Sequence, residues 1–339
     1  MKYSANIILY PDNKALEKSI EHYKSFVSDE IANSIGADQT GAVADNFIYS
    51  RGNFEQHRYS SNVFENARET FAAQLTEDLR QQSPLDWAAI QNSLGNILAA
   101  LGQLQRDAEQ YTAAIACFNT ALEIFTQATS PLEWAATQYN LGTAMQALGR
   151  QEGEAKLLNK SIDAYTDALL VWSRKENPEE WSATMHQLGA TFHAYGTLLK
   201  GNRNLQKSVV SYKNALAELD ADEYALELAA THNNRGAVLH NLGESEENSE
   251  RLEEAIRAYE TALTVCMEQQ LPFHLAVLCR VNKATAHSVL AELTKDSALA
   301  DETADEFELI IECFPHALQP LGMIHCKEQL SKTREMAAA

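Results

Sequence analysis

The chain repeats itself every 47 residues, and that period limits what it can fold into more than any single residue does. Trp87, Trp134 and Trp181 stand 47 apart, and Leu228 and Leu275 continue their column. Gly95, Gly142, Gly189 and Gly236 keep the same step, as do Gly102, Gly149, Gly196 and Gly243. So do Phe118, Tyr165, Tyr212 and Tyr259, and the Ala-Leu pairs that begin at Ala121, Ala168, Ala215 and Ala262. A fixed period of this size marks stacked supersecondary units, each burying its apolar face against its neighbours. In such an array length counts units, so 339 residues do not imply two ordinary domains.

Each unit opens with a helix-start signal. Ser83-Pro84-Leu85-Asp86, Ser130-Pro131-Leu132-Glu133 and Asn177-Pro178-Glu179-Glu180 place a capping residue first, proline next and an acid three residues after the cap. Proline lacks only a hydrogen that the first turn cannot use, and the acid suits the helix dipole. Trp87, Ile90, Leu94 and Leu101 follow at helical spacing and define a first helix, A. Its expected stop is the glycine near Gly102, Gly149, Gly196 or Gly243, where a left-handed turn is easy. A second helix, B, carries Ile115, Phe118 and Leu122 in one unit and Ile162, Tyr165 and Leu169 in the next. Gly142 and its equivalents lie mid-helix, at a cost of about 1 kcal/mol each relative to alanine. Their recurrence implies that another backbone approaches closely there.

Asn140-Leu141-Gly142, then Gly149, then Ser161, Tyr165 and Ala168 resemble the tetratricopeptide repeat family. The usual unit of that family has roughly 34 residues. Here seven residues are added between Gly149 and Ser161 and six between Ala168 and Leu188, which makes up the 47. Units of this length with a Pro-x-x-Trp-Ala start look like those of bacterial multi-repeat proteins and kinesin light chain-like arrays. The resemblance implies an all-α fold, a right-handed superhelical solenoid of helix-turn-helix repeats, and a non-enzymatic protein-interaction module. Residues 1–82 are expected to hold an N-terminal extension, with a helix B-like half repeat at 13–33 and a degenerate repeat that includes 36–59. Residues 83–270 carry four clear repeats, and 271–339 a degenerate repeat ending in a capping helix from Pro320 to Glu335.

Composition excludes several partners. A net charge of −20 offers no basic stripe for a phosphate backbone, so nucleic acid is not expected, and anionic lipid is disfavoured. No stretch approaches the ~18 apolar residues of a membrane span. Cys117, Cys266, Cys279, Cys313 and Cys326 form no CxxC spacing and suit a reducing, cytoplasmic location; Cys266 and Cys313 fall in a column of buried hydrophobes. No phosphate-binding glycine loop or nucleophile elbow occurs, so neither catalytic residues nor cofactors are expected.

In the resembled family helix A lines the concave side, which makes its polar residues away from the core the candidate ligand-binding set. Three positions before the mid-helix glycine stand Asn92, Tyr139, His186, Asn233 and Arg280. Four after it stand Ala99, Gln146, His193, His240 and His287, and one after it Asn96 and Thr143, then alanines. Seven residues span two helical turns, so the two main columns run parallel. Amide side chains there could read the main chain of an extended peptide, and Arg280 could hold a carboxylate by paired N–H bonds. The multiple Lys and Arg of carboxylate-clamp family members are missing. His193, His240 and His287 form the alternative, a small-molecule or metal sensor or enzyme, or a groove that titrates near pH 6.5. Adjacent helix axes 8–10 Å apart spread three imidazoles too widely for one ion, so no metal is expected. The remaining alternative is a scaffold that forms homo-oligomers through its terminal repeats.

Overall fold

A computed structural model of the chain describes residues 14–28, 61–318 and 320–338, and every regular element among them is helical. The described residues fall into two compact units, and the chain passes from one to the other between Leu199 and Lys200. The N-terminal unit holds α1 (Lys14–Lys24), α2 (Ser61–Gln74), α3 (Glu77–Gln82), α4 (Pro84–Gln105), α5 (Ala108–Leu122), α6 (Pro131–Glu152), α7 (Ala155–Ala168) and α8 (Pro178–Leu199). Within it α4 pairs with α5 and α6 with α7, while α5 packs on α6 and α7 on α8. The C-terminal unit holds α9 (Asn202–Leu216), α10 (Ala225–Glu246), α11 (Ser249–Glu268), α12 (Phe273–Thr294), α13 (Ser297–Cys313), a 3-10 turn and α14 (Pro320–Ala337). There α9 packs on α10, and each later helix packs on the one before it. Both units are therefore stacks of antiparallel hairpins, and the five A helices α4, α6, α8, α10 and α12 are each 22 residues long.

Local chemistry fixes the helix ends, with two differences from expectation. Pro84 and Pro131 do stand in the first turn, yet neither Ser83 nor Ser130 caps through its side chain. Their carbonyls instead accept the first intrahelical bonds, from Trp87 N–H at 3.0 Å and Trp134 N–H at 2.8 Å. Side-chain caps appear on the B helices: Asp107 accepts from Glu109 N–H at 2.9 Å and Asn248 from Arg251 N–H at 3.1 Å. The glycine column at 102, 149 and 243 does not end the A helices. The left-handed stop comes four residues later, at Arg106, Gly153 and Glu247, and only one of those is glycine. Gly149 is small for another reason: a Cβ there would lie 3.1 Å from Leu158 of helix B.

The mid-helix glycines make room for rings rather than for a second backbone. A Cβ at Gly142 would meet the Tyr165 ring at 2.9 Å, and one at Gly236 the Tyr259 ring at 2.8 Å. The hairpins α4–α5, α6–α7 and α10–α11 are thus keyed by an aromatic of helix B laid on a bare patch of helix A. Phe118, Tyr165, Tyr212 and Tyr259 are all fully buried. A ring of that size removes enough apolar surface from water to outweigh the cost of a helical glycine.

The N-terminal extension is described only in part. Helix α1 packs on α4 through Leu16, Ile20 and Tyr23. It bonds Ser93 and Asn96 of α4, through His22 and Ser19. The expected degenerate segment at 36–59 lies outside the described residues.

Candidate ligand-binding wall

The two columns stand on the A helices as their spacing requires, but close packing between successive A helices draws most of them inside. In the N-terminal unit Asn92 is half-buried, and its Oδ1 accepts from Asn140 Nδ2 at 3.1 Å, tying α4 to α6. Asn96 is buried and donates to Ser19 Oγ at 3.1 Å, which seats α1. Tyr139 is buried, with its ring 5.6 Å from that of Tyr165 and 5.7 Å from that of Trp172. Thr143 is half-buried and bonds both the Tyr139 carbonyl at 3.1 Å and the Tyr165 hydroxyl at 3.0 Å. Gln146, only 2% exposed, donates from Nε2 to Thr191 Oγ1 at 2.6 Å and to the Gln187 carbonyl at 3.1 Å. His186 and His193 are buried as well.

The C-terminal unit repeats the arrangement. Asn233 is 0% exposed, and its Oδ1 accepts from Asn282 Nδ2 at 2.9 Å, tying α10 to α12. Arg280 does hold a carboxylate through two nitrogens, but it is the chain's own Glu306 on α13. The guanidinium also lies 5.6 Å from the centre of the Phe314 ring. His240 is buried; its Nε2 stands 3.9 Å from the Glu244 carboxylate, and its Nδ1 has no hydrogen-bond partner among the described residues. His287 is half-buried, with Lys283, Glu260, Glu306 and Glu302 as its charged surroundings.

The expected open wall is therefore corrected at Asn96, Tyr139, Gln146, His186, His193, Asn233 and His240. Buried polar groups must find partners, and here neighbouring A helices supply many of them. Asn92, Thr143, Arg280 and His287 keep partial exposure, although Asn92, Thr143 and Arg280 also serve internal bonds. The groups that complete these rungs, the side chains of Asn140, Thr191 and Asn282 and the backbone carbonyl of Gln187, were not picked out by the column reasoning. One signal was visible: Asn282 replaces the leucine found at Leu94, Leu141 and Leu188.

Burial also decides the histidine chemistry. Desolvation, helped by Arg150, holds His193 down at about 3. Desolvation, helped by His325, holds His240 at about 4. His287 is lowered mainly by burial. His193 and His240 are therefore neutral well below the expected titration near pH 6.5, and His287 is shifted in the same direction, which overturns that expectation. His193 belongs to one compact unit and His240 and His287 to the other. Among the described residues no group of three or more His, Cys, Asp or Glu is placed to hold a metal ion. No described helix is long and apolar enough to cross a membrane.

Comparison with known proteins adds the family. No curated protein sequence matches the chain. Among solved structures it is similar to a Rap protein complexed with competence and sporulation factor, at 15% identity and a TM-score of 0.40, over 95% of this chain and 87% of that one. It is also similar to the TPR2AB domain of yeast Sti1 in a complex with pHSP90, at 16% identity and a TM-score of 0.29, over 91% of this chain and 100% of that one. Two stretches, residues 88–167 and 236–266, match models of the tetratricopeptide repeat. With hairpins keyed by aromatic on glycine in those same two stretches, residues 88–167 and 236–266 are tetratricopeptide repeats.

Proposed function

We propose that the chain is a non-enzymatic module that captures a peptide or protein segment along its A helices. The observation that carries this reading is the recurrence of amide, hydroxyl and imidazole side chains at two positions per A helix, seven residues apart. Inside each unit the buried members pair between neighbouring A helices, and the half-buried members leave part of the column open to a partner. The half-buried members, Asn92 and Thr143 in the N-terminal unit and Arg280 and His287 in the C-terminal unit, are the proposed contact points. The buried members behind them act by setting helix spacing. Within each unit by itself a peptide would satisfy its backbone on that unit's own members, with Asn92 in the N-terminal unit and His287 in the C-terminal unit each combining donor and acceptor. The acidic chain favours a partner segment that is neutral or basic.

The test is affinity purification with wild-type chain and with Asn92→Ala combined with His287→Ala. A partner retained by the wild type is expected to be lost by the double variant at unchanged helicity and melting temperature. Equal recovery of that partner by a folded double variant sinks the groove reading. Light scattering across concentration separates this from a self-assembling scaffold, which requires mass to rise with concentration.

A further inference from the structure

In the N-terminal unit each helix B hands over to the next helix A along one edge, and three exposed leucines stand on that edge. Leu85 and Leu132 hold the same repeat position, the second residue of α4 and of α6, and each is 55% exposed. Leu170, in the turn after α7, is 63% exposed. Packing beneath them fixes their order. One apolar cluster joins Ala88 and Ala89 of α4, Phe125 after α5 and Trp134 of α6. The next joins Trp134 and Ala135 to Leu169, Val171 and Trp172 at the end of α7. Leucine is a poor choice for the second position of a helix. The first turn favours acids, and the third unit has Glu179 there. Leu85 and Leu132 forgo that gain and keep apolar surface in water, a cost that is removed when a partner covers them. Beside them stand the exposed carboxylates of Asp86, Glu123 and Glu133. Arg80 on α3 is already engaged there: it bonds Glu123 at 3.1 Å and lies 4.8 Å from the centre of the Trp87 ring. Beyond Leu170 the charge is mixed, with Arg174 5.6 Å from the Trp181 ring, then Lys175 and Glu176.

We propose that this edge docks a basic amphipathic helix of a partner protein, with aliphatic side chains on Leu85, Leu132 and Leu170 and Lys or Arg beside Asp86 and Glu133. Spacing selects a helix. The A helices α4 and α6 pack on each other, and packed helix axes lie ~8–10 Å apart. Seven residues of an α-helix rise about 10.5 Å and return to the same face. An extended strand covers that distance in about three residues, which leaves its first and last side chains on opposite faces. Charge selects a basic helix, because a chain of net charge −20 repels both an acidic segment and a second copy of itself. The edge uses none of the polar columns of the A helices, so the contact stands whether or not those columns bind a peptide.

The test follows the fluorescence anisotropy of a labelled synthetic helical peptide, with leucines at the seven-residue spacing on one face and lysines beside them, as the full chain is added. The wild-type chain is expected to bind it, more weakly as salt is raised. Leu85→Ser combined with Leu132→Ser changes only exposed side chains and should weaken binding on the order of tenfold or more at unchanged helicity. Asp86→Lys combined with Glu133→Lys should also weaken it, and should improve binding of the same peptide with glutamates in place of its lysines. Asn92→Ala combined with His287→Ala, which alters the polar columns, should leave binding as in the wild type. No binding by the wild type, equal binding by the folded leucine variant, or equal binding of the lysine and glutamate peptides each overturns the proposal. So does a mass in light scattering that rises with concentration for the wild type and not for the leucine variant, because a second copy of the chain then occupies the edge.

Discussion

At the scale of single residues, small side chains and buried amides do the specifying. Gly142 is bare because the Tyr165 ring lies on it, so Gly142→Ala forces a Cβ to within 2.9 Å of that ring. Alanine is the better helix former, yet overpacking of a filled core costs about 1–3 kcal/mol and outweighs the propensity gain. Urea denaturation is expected to show a lower midpoint for this variant, and an unchanged midpoint would mean that the ring has room to move. Gln146 illustrates the polar half. Gln146→Leu keeps the side chain's bulk but leaves the Gln187 carbonyl and Thr191 hydroxyl without its two donated bonds, though Thr191 still donates to that carbonyl. The expected loss is about 1–3 kcal/mol, read in the same titration, and larger than that of an exposed Gln→Leu change.

Elements differ in how they are held. Helix α11 is anchored by Leu252, Ile256, Tyr259 and Val265, all buried. The buried residues of α14 are smaller: Gly322, His325, Cys326 and Thr333. Its seat on α12 is built from polar rungs, Thr285 with His325 at 2.9 Å, Ser288 with Gln329 at 2.9 Å and Lys332 with Glu292 at 2.6 Å. Arg334 adds contacts to Asp301, Asp305 and Glu308 on α13 at the surface. Hydrophobic burial, rather than exposed ion pairs, sets local opening energies, so α14 should open before α11. Amide hydrogen exchange is expected to show faster exchange across 320–337 than across 249–268. The reverse order would show that the polar rungs dominate.

For the whole molecule the buried imidazoles set the acid limit. His193 is held near 3, and His232, His240, His274 and His325 near 4, in each case chiefly by burial. Unfolding frees each to bind a proton at its ordinary value near 6.5. The sign follows: above about 6.5 neither state is protonated, and these groups leave stability unchanged. As pH falls toward 4 the unfolded chain binds protons that the fold cannot, and each imidazole removes on the order of 1.4 kcal/mol of stability per pH unit. Melting temperature should therefore drop between pH 6.5 and 4.5, before most carboxylates protonate. Substituting His240 by Asn should make that drop shallower, and a pH-independent melting temperature across the window would contradict the assignment.

The period alone determined that the chain is a set of equal helical hairpins, because recurring apolar and small residues admit only one way of stacking. It also located the A-helix columns, since heights on a helix follow from arithmetic. Whether Asn96, Gln146 or Asn233 faces a ligand or a neighbouring helix was not legible, because an amide has the same sequence signature in both settings. The same holds for Arg280, whose carboxylate partner proved to be Glu306, 26 residues further along the chain. Only tertiary structure decided these points. How closely successive A helices approach depends on rings such as Tyr165 seated on glycines such as Gly142, a packing outcome that involves several hairpins at once.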